Sequence, residues 1–183
     1  MPDDRKLNIV DEAGNIIGID TRENIHQQGL LHRETHVWFY TPKGEIIFQH
    51  RAKDKDTYPD LLDASVGGHV EIGSDYLKTA LAEVAEETGL KITADDLRFI
   101  TMVRSKNYDP VTKKTNNALR AIYAYLFLGK ISDLRLEPGK IIGFEAWSLE
   151  KIFNISEMDK KLFIPSIFDP EVLEIFRKIQ ESL

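Results

Sequence analysis

GGHVEIGSDYLKTALAEVAEETGL, residues 67–90, joins a glycine-rich turn to an acidic helix, and its reading decides the fold. The helix is expected over about 75–88. Asp75 or Ser74 can accept its free N–H groups, and Gly89 suits a left-handed C-terminal position. On a wheel of about 100° per residue, Leu77, Leu81, Val84, Ala85 and Thr88 fall on one face and Glu83, Glu86 and Glu87 on the opposite one. Spacing i, i+3, i+4 makes the three carboxylates neighbours, so they repel unless a cation or water intervenes. A solvated surface face explains such a pattern in most helices. Two features here favour a cation. No lysine interleaves with the acids, and Gly67-Gly68 lies upstream, where backbone carbonyls can approach a ligand. Clustered carboxylate oxygens suit Mg²⁺ or Mn²⁺, and an ion so held can bind a diphosphate and acidify water.

Around this stretch the chain reads as alternating hairpins and helices. Leu7–Val10 and Ile16–Ile19 flank DEAGN as a first hairpin, and Thr21–Asn24 starts a short helix or turn. HVWFY (36–40) and EIIFQHR (45–51) flank TPKG as a second hairpin. Residues 52–63 form a charged loop in which Asp54 and Asp56 balance the lysines, and 64–70 a short glycine-broken strand. After the acidic helix come a strand at about 97–106, a polar loop at 107–117, and strands at 118–129 and 141–147. A short helix begins near 148. A last helix, about 165–182, contains the Asp169-Pro170 start signal. Helices between groups of strands predict an α+β fold with a mixed sheet.

The 183 residues predict one domain. The chain has no cysteine, which excludes disulfides, thiolate metal sites and cysteine nucleophiles and fits a cytoplasmic location. The N-terminus lacks a basic start followed by an apolar run, so no secretory signal is expected, and no apolar stretch is long enough to span a membrane. The sequon at Asn154 is read as chance. Net charge is −6 with scattered basic residues, which argues against a nucleic-acid polymer as partner and leaves a small anion. A homodimer is left open.

The quoted stretch resembles the Nudix box, G-x5-E-x7-R-E-U-x-E-E-x-G-U, where U is bulky and aliphatic. Gly68, Glu83, Val84, Glu86, Glu87, Gly89 and Leu90 match in register. Ser74 stands where the family has Glu, and Ala82 where it has Arg. In the family those two residues commonly form an ion pair bracing the loop on the helix. Here both are small and neutral, so the brace is expected to be gone, with Ser74 compensating as a helix cap. The resemblance implies a Nudix fold, an α/β/α sandwich with its core at about 30–155. It also implies Mg²⁺- or Mn²⁺-dependent hydrolysis of a nucleoside diphosphate derivative or related small-molecule diphosphate. Glu83, Glu86, Glu87 and the Gly68 carbonyl would hold the metal, with one of the glutamates or Glu145 activating water.

Residues 30–70 further resemble the Nudix branch of isopentenyl-diphosphate isomerase. That alignment places Arg51 and Lys55 on a diphosphate and puts His32 and His69 where the isomerase binds metal. Gly67 stands where the isomerase has its cysteine, and the segment that carries its two acidic ligands reads Lys114-Thr115-Asn116-Asn117-Ala118. A hydrolase that keeps the diphosphate framework is therefore expected rather than an isomerase. A non-catalytic Nudix-fold binding protein is the other reading, supported by Ser74 and Ala82. His69 can touch metal or phosphate, whereas His26, His36 and His50 are expected to be structural or exposed. Trp38, Phe39 and Tyr40 are expected to be core and face residues of a strand.

Overall fold

The computed structural model describes residues 5–55 and 58–183, so Asp56 lies outside the described residues. A two-stranded antiparallel sheet, β1 (Lys6–Val10) and β2 (Ile16–Thr21), forms the first hairpin. α1 (Arg22–Gln28) follows, with Thr21 as its N-cap and Gly29 in the left-handed conformation at its end. β3 (His32–Tyr40) is the central strand of the main sheet. It begins four residues earlier than the aromatic run suggested.

One flank of β3 pairs in parallel with β8 (Lys114–Leu126) along nine positions, His32↔Ala118 to Tyr40↔Leu126. The other flank is forked. Its first half pairs with β6 (Val66–His69), and its last two residues pair with β4 (Glu45–Arg51) as the second hairpin. Ser65 sits in the fork, accepting the Phe39 N–H at 2.8 Å and donating to the Ile47 carbonyl. β5 (Leu62–Asp63) and β9 (Ile141–Ser148) pair with β4, and β7 (Leu97–Asp109) pairs with β8.

The residues expected as a polar loop, 107–117, are mostly strand. Asn107↔Asn116 and Tyr108↔Thr115 continue the β7–β8 ladder, and only residues 110–113 turn. The ribbon is mostly polar there even on its sheltered face, where Asp109 and Asn117 are buried, so it carries no apolar alternation to betray it. Asp109 closes the turn by accepting from the Val111 N–H and the Thr112 hydroxyl.

Alternation along β3 sends Val37 and Phe39 to one face and Trp38 and Tyr40 to the other. The first face packs on α2 (Tyr76–Thr88) through Ile47, Val66, Ala80 and Val84. The second packs on α3 (Leu149–Phe153) and α5 (Pro170–Gln180). A short helix, α4 (Glu157–Lys160), lies between α3 and α5 in sequence. Three layers result, with the sheet in the middle. The second face is held by an aromatic cluster in which the Trp38 and Phe176 rings meet edge to face at 4.8 Å. Phe176 is fully buried. Phe176→Ala is expected to cost about 3–5 kcal/mol in urea unfolding, with an unchanged slope.

Candidate functional site

α2 matches its expected bounds because its signals are local. The Asp75 carboxylate accepts the Lys78 N–H at 2.8 Å, and Gly89 closes the helix at φ 73°. Ser74 is not the cap. Its hydroxyl lies 3.1 Å from that of Thr79. The assignment of faces also needs correction. Ala85 is exposed, while Glu87 is 5% exposed and packs inward. Glu87 is only about 60° round the helix from Val84, so it lies on the flank of the apolar face that looks at β6, not opposite it.

The fork in the sheet opens a cleft of about 320 Å³ between the β6 and β4 branches. Glu83 and Glu87 line its α2 side, with Gly68 packed against Glu83. A Cβ at Gly68 would stand 2.0 Å from Glu83 Oε1, so only glycine allows this approach of backbone and carboxylate. The Gly67 N–H donates to Glu87 Oε2 at 3.4 Å. Burial pushes Glu83 up to about 7, with Lys140 opposing and Glu86 adding to the shift. Burial and the neighbouring Glu83 push Glu87 up to about 8. A half-buried and a buried acid that resist ionisation side by side form a place that a cation would complete. Glu86 is exposed and does not line the cleft, although its charge is felt at Glu83.

Arg51 and Lys55 line the same cleft. Arg51 is oriented by Asp63, at 2.9 Å, and by the Tyr58 carbonyl, at 3.1 Å. His69 also reaches the cleft. Its ring stacks on His32 and meets His26 edge-on. Glu145 does not reach the site. On β9 it shares the sheet face of Trp147, whose indole N–H it accepts at 3.3 Å, and this is the face away from α2. Its other oxygen lies 3.7 Å from His50.

Four residues escaped the sequence reading. The turn before β9 carries Glu137 and Lys140, which pair at 2.7 Å beside the α2 carboxylates. Glu137 Oε2 is buried with no hydrogen-bond partner. Pro138-Gly139, with Gly139 at φ 75°, was the one local signal of that turn. Glu34 and Arg120 form a buried pair at 2.7 Å across β3 and β8. Burial pushes Glu34 up, but the Arg120 charge beside it holds its carboxyl well below the usual range.

Comparison with known proteins now bears on this geometry. The family model of the NUDIX domain matches residues 30–166. The chain belongs to the Nudix family. A Nudix hydrolase of Yersinia pestis is 39% identical over 84 residues, 46% of this chain and 46% of that protein. The chain therefore aligns with about half the length of that relative. One from Clostridium acetobutylicum is 26% identical over 85% of this chain and 75% of its own length. Among solved structures, DR0079 of Deinococcus radiodurans superposes with a TM-score of 0.69 over 95% of this chain and 98% of that one, at 19% identity. The Nudix domain of Shewanella oneidensis NrtR, solved with ADP ribose, gives 0.56 over 82% and 87%, at 13% identity. These likenesses establish the Nudix fold, and Nudix membership supports a hydrolase acting on a diphosphate.

Proposed function

We propose that this Nudix protein hydrolyses a nucleoside diphosphate derivative or a related small diphosphate, using Mg²⁺ or Mn²⁺ held at the α2 carboxylates. The observation that carries this reading is the pair of half-buried Glu83 and buried Glu87 set against the side-chain-free backbone of Gly68, on a cleft that also holds Arg51 and Lys55. The donor set is all oxygen and fits such an ion: the Glu83 and Glu87 carboxylates and the Gly68 carbonyl, with Glu86 outside the cleft. When bound, the ion supplies positive charge to diphosphate oxygens and makes water more acidic. Arg51, fixed by Asp63, and Lys55 bind and orient the phosphates. Of the groups expected to activate water, one of the α2 glutamates or Glu145, the α2 glutamates take the role, because Glu145 is on the other sheet face; the Glu137 charge is felt at both Glu83 and Glu87. Lys140 offsets the acidic cluster while the cation is away.

Isomerase chemistry is disfavoured by the missing thiol. A Cβ at Gly67 would also meet the His36 ring at 2.9 Å, so that position is shaped for glycine. Gly68→Ala is expected to push Glu83 aside and lower kcat/KM by about 10–100-fold while the far-UV spectrum stays native. An alanine variant as active as the parent would remove the close approach from the mechanism.

The test is release of phosphate or nucleotide from nucleoside diphosphates, diphosphate sugars, dinucleotides, ADP-ribose and isopentenyl diphosphate. Each is run with Mg²⁺, with Mn²⁺ and with chelator. Metal-dependent turnover of one member is the expected result. Thermal stabilisation by a member without turnover would turn the reading to a ligand-binding protein.

A further inference from the structure

Resting on the reading of this cleft as the place where a diphosphate binds, we infer that Arg120 and Gln49 set its specificity, and that they select diphosphates joined to a hydroxyl-rich group, a sugar or polyol. Arg120 stands on β8 opposite Glu34 of β3, and Gly67 stands on β6 opposite His36, two residues further along the same strand face. All four residues line the cleft. One edge of the guanidinium is engaged inside the protein: Nε and Nη2 donate to Glu34 Oε2 at 3.1 and 2.7 Å. Asn116 donates to the other Glu34 oxygen at 3.0 Å, so the carboxylate holds the guanidinium in one orientation. The Nη1 end has no partner among the described residues, and the side chain is 12% exposed. A planar fork fixed along one edge presents its remaining N–H groups in a set direction.

Gln49, on the β4 branch across the fork, also lines the cleft. It is 7% exposed, and its amide makes no hydrogen bond among the described residues. A buried amide without a partner costs stability, and no described residue makes use of it. His36 lies between these two groups. It feels the charges of Arg120 and Glu34 on one side and, on the other, of Asp63, which pairs with Gln49 on the neighbouring strand. Burial pushes His36 down to about 4, so its ring is neutral, with one donor and one acceptor nitrogen. Neither nitrogen has a protein partner among the described residues. The amide, the imidazole and the open end of Arg120 thus offer donors and acceptors together, the complement of adjacent hydroxyls.

Three other groups fit less well. A second anion would meet charges already matched, since Glu34 faces Arg120 at 2.7 Å and Asp63 faces Arg51 at 2.9 Å. A hydrocarbon would leave Gln49 and Arg120 dry and without partners, the mismatch by which polar sites reject apolar analogues. A flat base gains most from an aromatic face to stack on, and Tyr58 is the one Phe, Tyr or Trp that lines the cleft among the described residues. Hydroxyls need only convergent donors and acceptors, which this floor supplies.

The test is calorimetric binding to the full chain in chelator, with matched probes: ADP-ribose against ADP, UDP-glucose against UDP, and isopentenyl diphosphate against inorganic diphosphate. In at least one pair the sugar-bearing member is expected to bind at least ~10-fold more tightly than its partner and than isopentenyl diphosphate. Gln49→Met and Arg120→Lys are each expected to abolish that preference while affinity for inorganic diphosphate stays within about twofold of the parent. Gln49→Met removes an amide that no described residue uses, so its Tm is expected to hold or rise, whereas a structural role would lower it. Arg120→Lys keeps a charge beside Glu34 and removes the fork. No preference in any pair, isopentenyl diphosphate bound as tightly as the best sugar, or a preference that survives Gln49→Met would overturn the assignment. These readouts do not need turnover. A sugar preference in a protein that hydrolyses nothing would sink the hydrolase reading alone, and turnover without a preference would sink this one alone.

Discussion

Glu87→Gln is expected to lower kcat/KM by at least ~100-fold at saturating Mg²⁺ while making the metal-free protein more stable above neutral pH. Both effects follow from one buried carboxylate. Glu87 is 5% exposed, next to Glu83, with an N–H from Gly67 as its hydrogen bond. Glutamine keeps the size and an oxygen that accepts that N–H, so the packing of α2 on β6 survives. It removes the charge that holds the cation, and with it the cost of ionising an acid that burial pushes up to about 8. Activity should therefore fall as stability rises, the opposite of what damage to the fold would produce. Glu145→Gln is the control. That side chain is on the far sheet face, and turnover is expected to stay within about twofold of the parent. An active Glu87→Gln, or an inactive Glu145→Gln, would move the site off α2.

The two glutamates differ in how legible they were, and the difference shows what a sequence can disclose. α2, its cap at Asp75 and its stop at Gly89 follow from residues within a few positions of each other, as do the two hairpin turns. The order of helices and strands gave the layered fold for the same reason. Glu145 misled because strand residues alternate between faces: Phe144 packs on the α2 side, and so Glu145 points away. Glu34, Arg120, Glu137 and Lys140 were overlooked because little near them in sequence marks them beyond the Pro138-Gly139 turn. His26 meets His69 across 43 residues and Glu34 meets Arg120 across 86, contacts created by the forked sheet and by the parallel β3–β8 pair. Asn116 and Lys114 read as loop because a polar ribbon has no apolar alternation. Yet Lys114 pairs with Glu23 of α1 at 2.9 Å, and Asn116 reaches Glu34. Polar strands and partners far apart in sequence are where pattern reading loses its grip.

In chelator, the stability of the protein is expected to fall by about 2–3 kcal/mol between pH 6.5 and 9, and added Mg²⁺ or Mn²⁺ to abolish most of that fall. In the unfolded chain both glutamates titrate near 4.5, whereas in the folded protein they hold protons until about 7 and about 8. Through neutral pH the folded state therefore binds more protons than the unfolded one. Stability drops as pH rises through the two folded values and levels off above them. The window starts at 6.5 because burial holds His26, His36 and His69 below that value. Below it their penalty acts in the other direction, growing as pH falls, and the two slopes oppose. Lys140 is raised from 10.5 and stays charged throughout. A cation displaces the carboxylate protons, so its affinity should climb over the same interval, and the metal-bound protein should hold its stability where the stripped one loses it. Urea unfolding at several pH values, with chelator and with Mg²⁺, reads both curves. Glu87→Gln removes the group with the higher value, and its curve should be flatter than that of the parent. A parent curve equally flat in chelator would mean that both carboxylates ionise freely, and the α2 flank would then be a solvated face rather than a cation site.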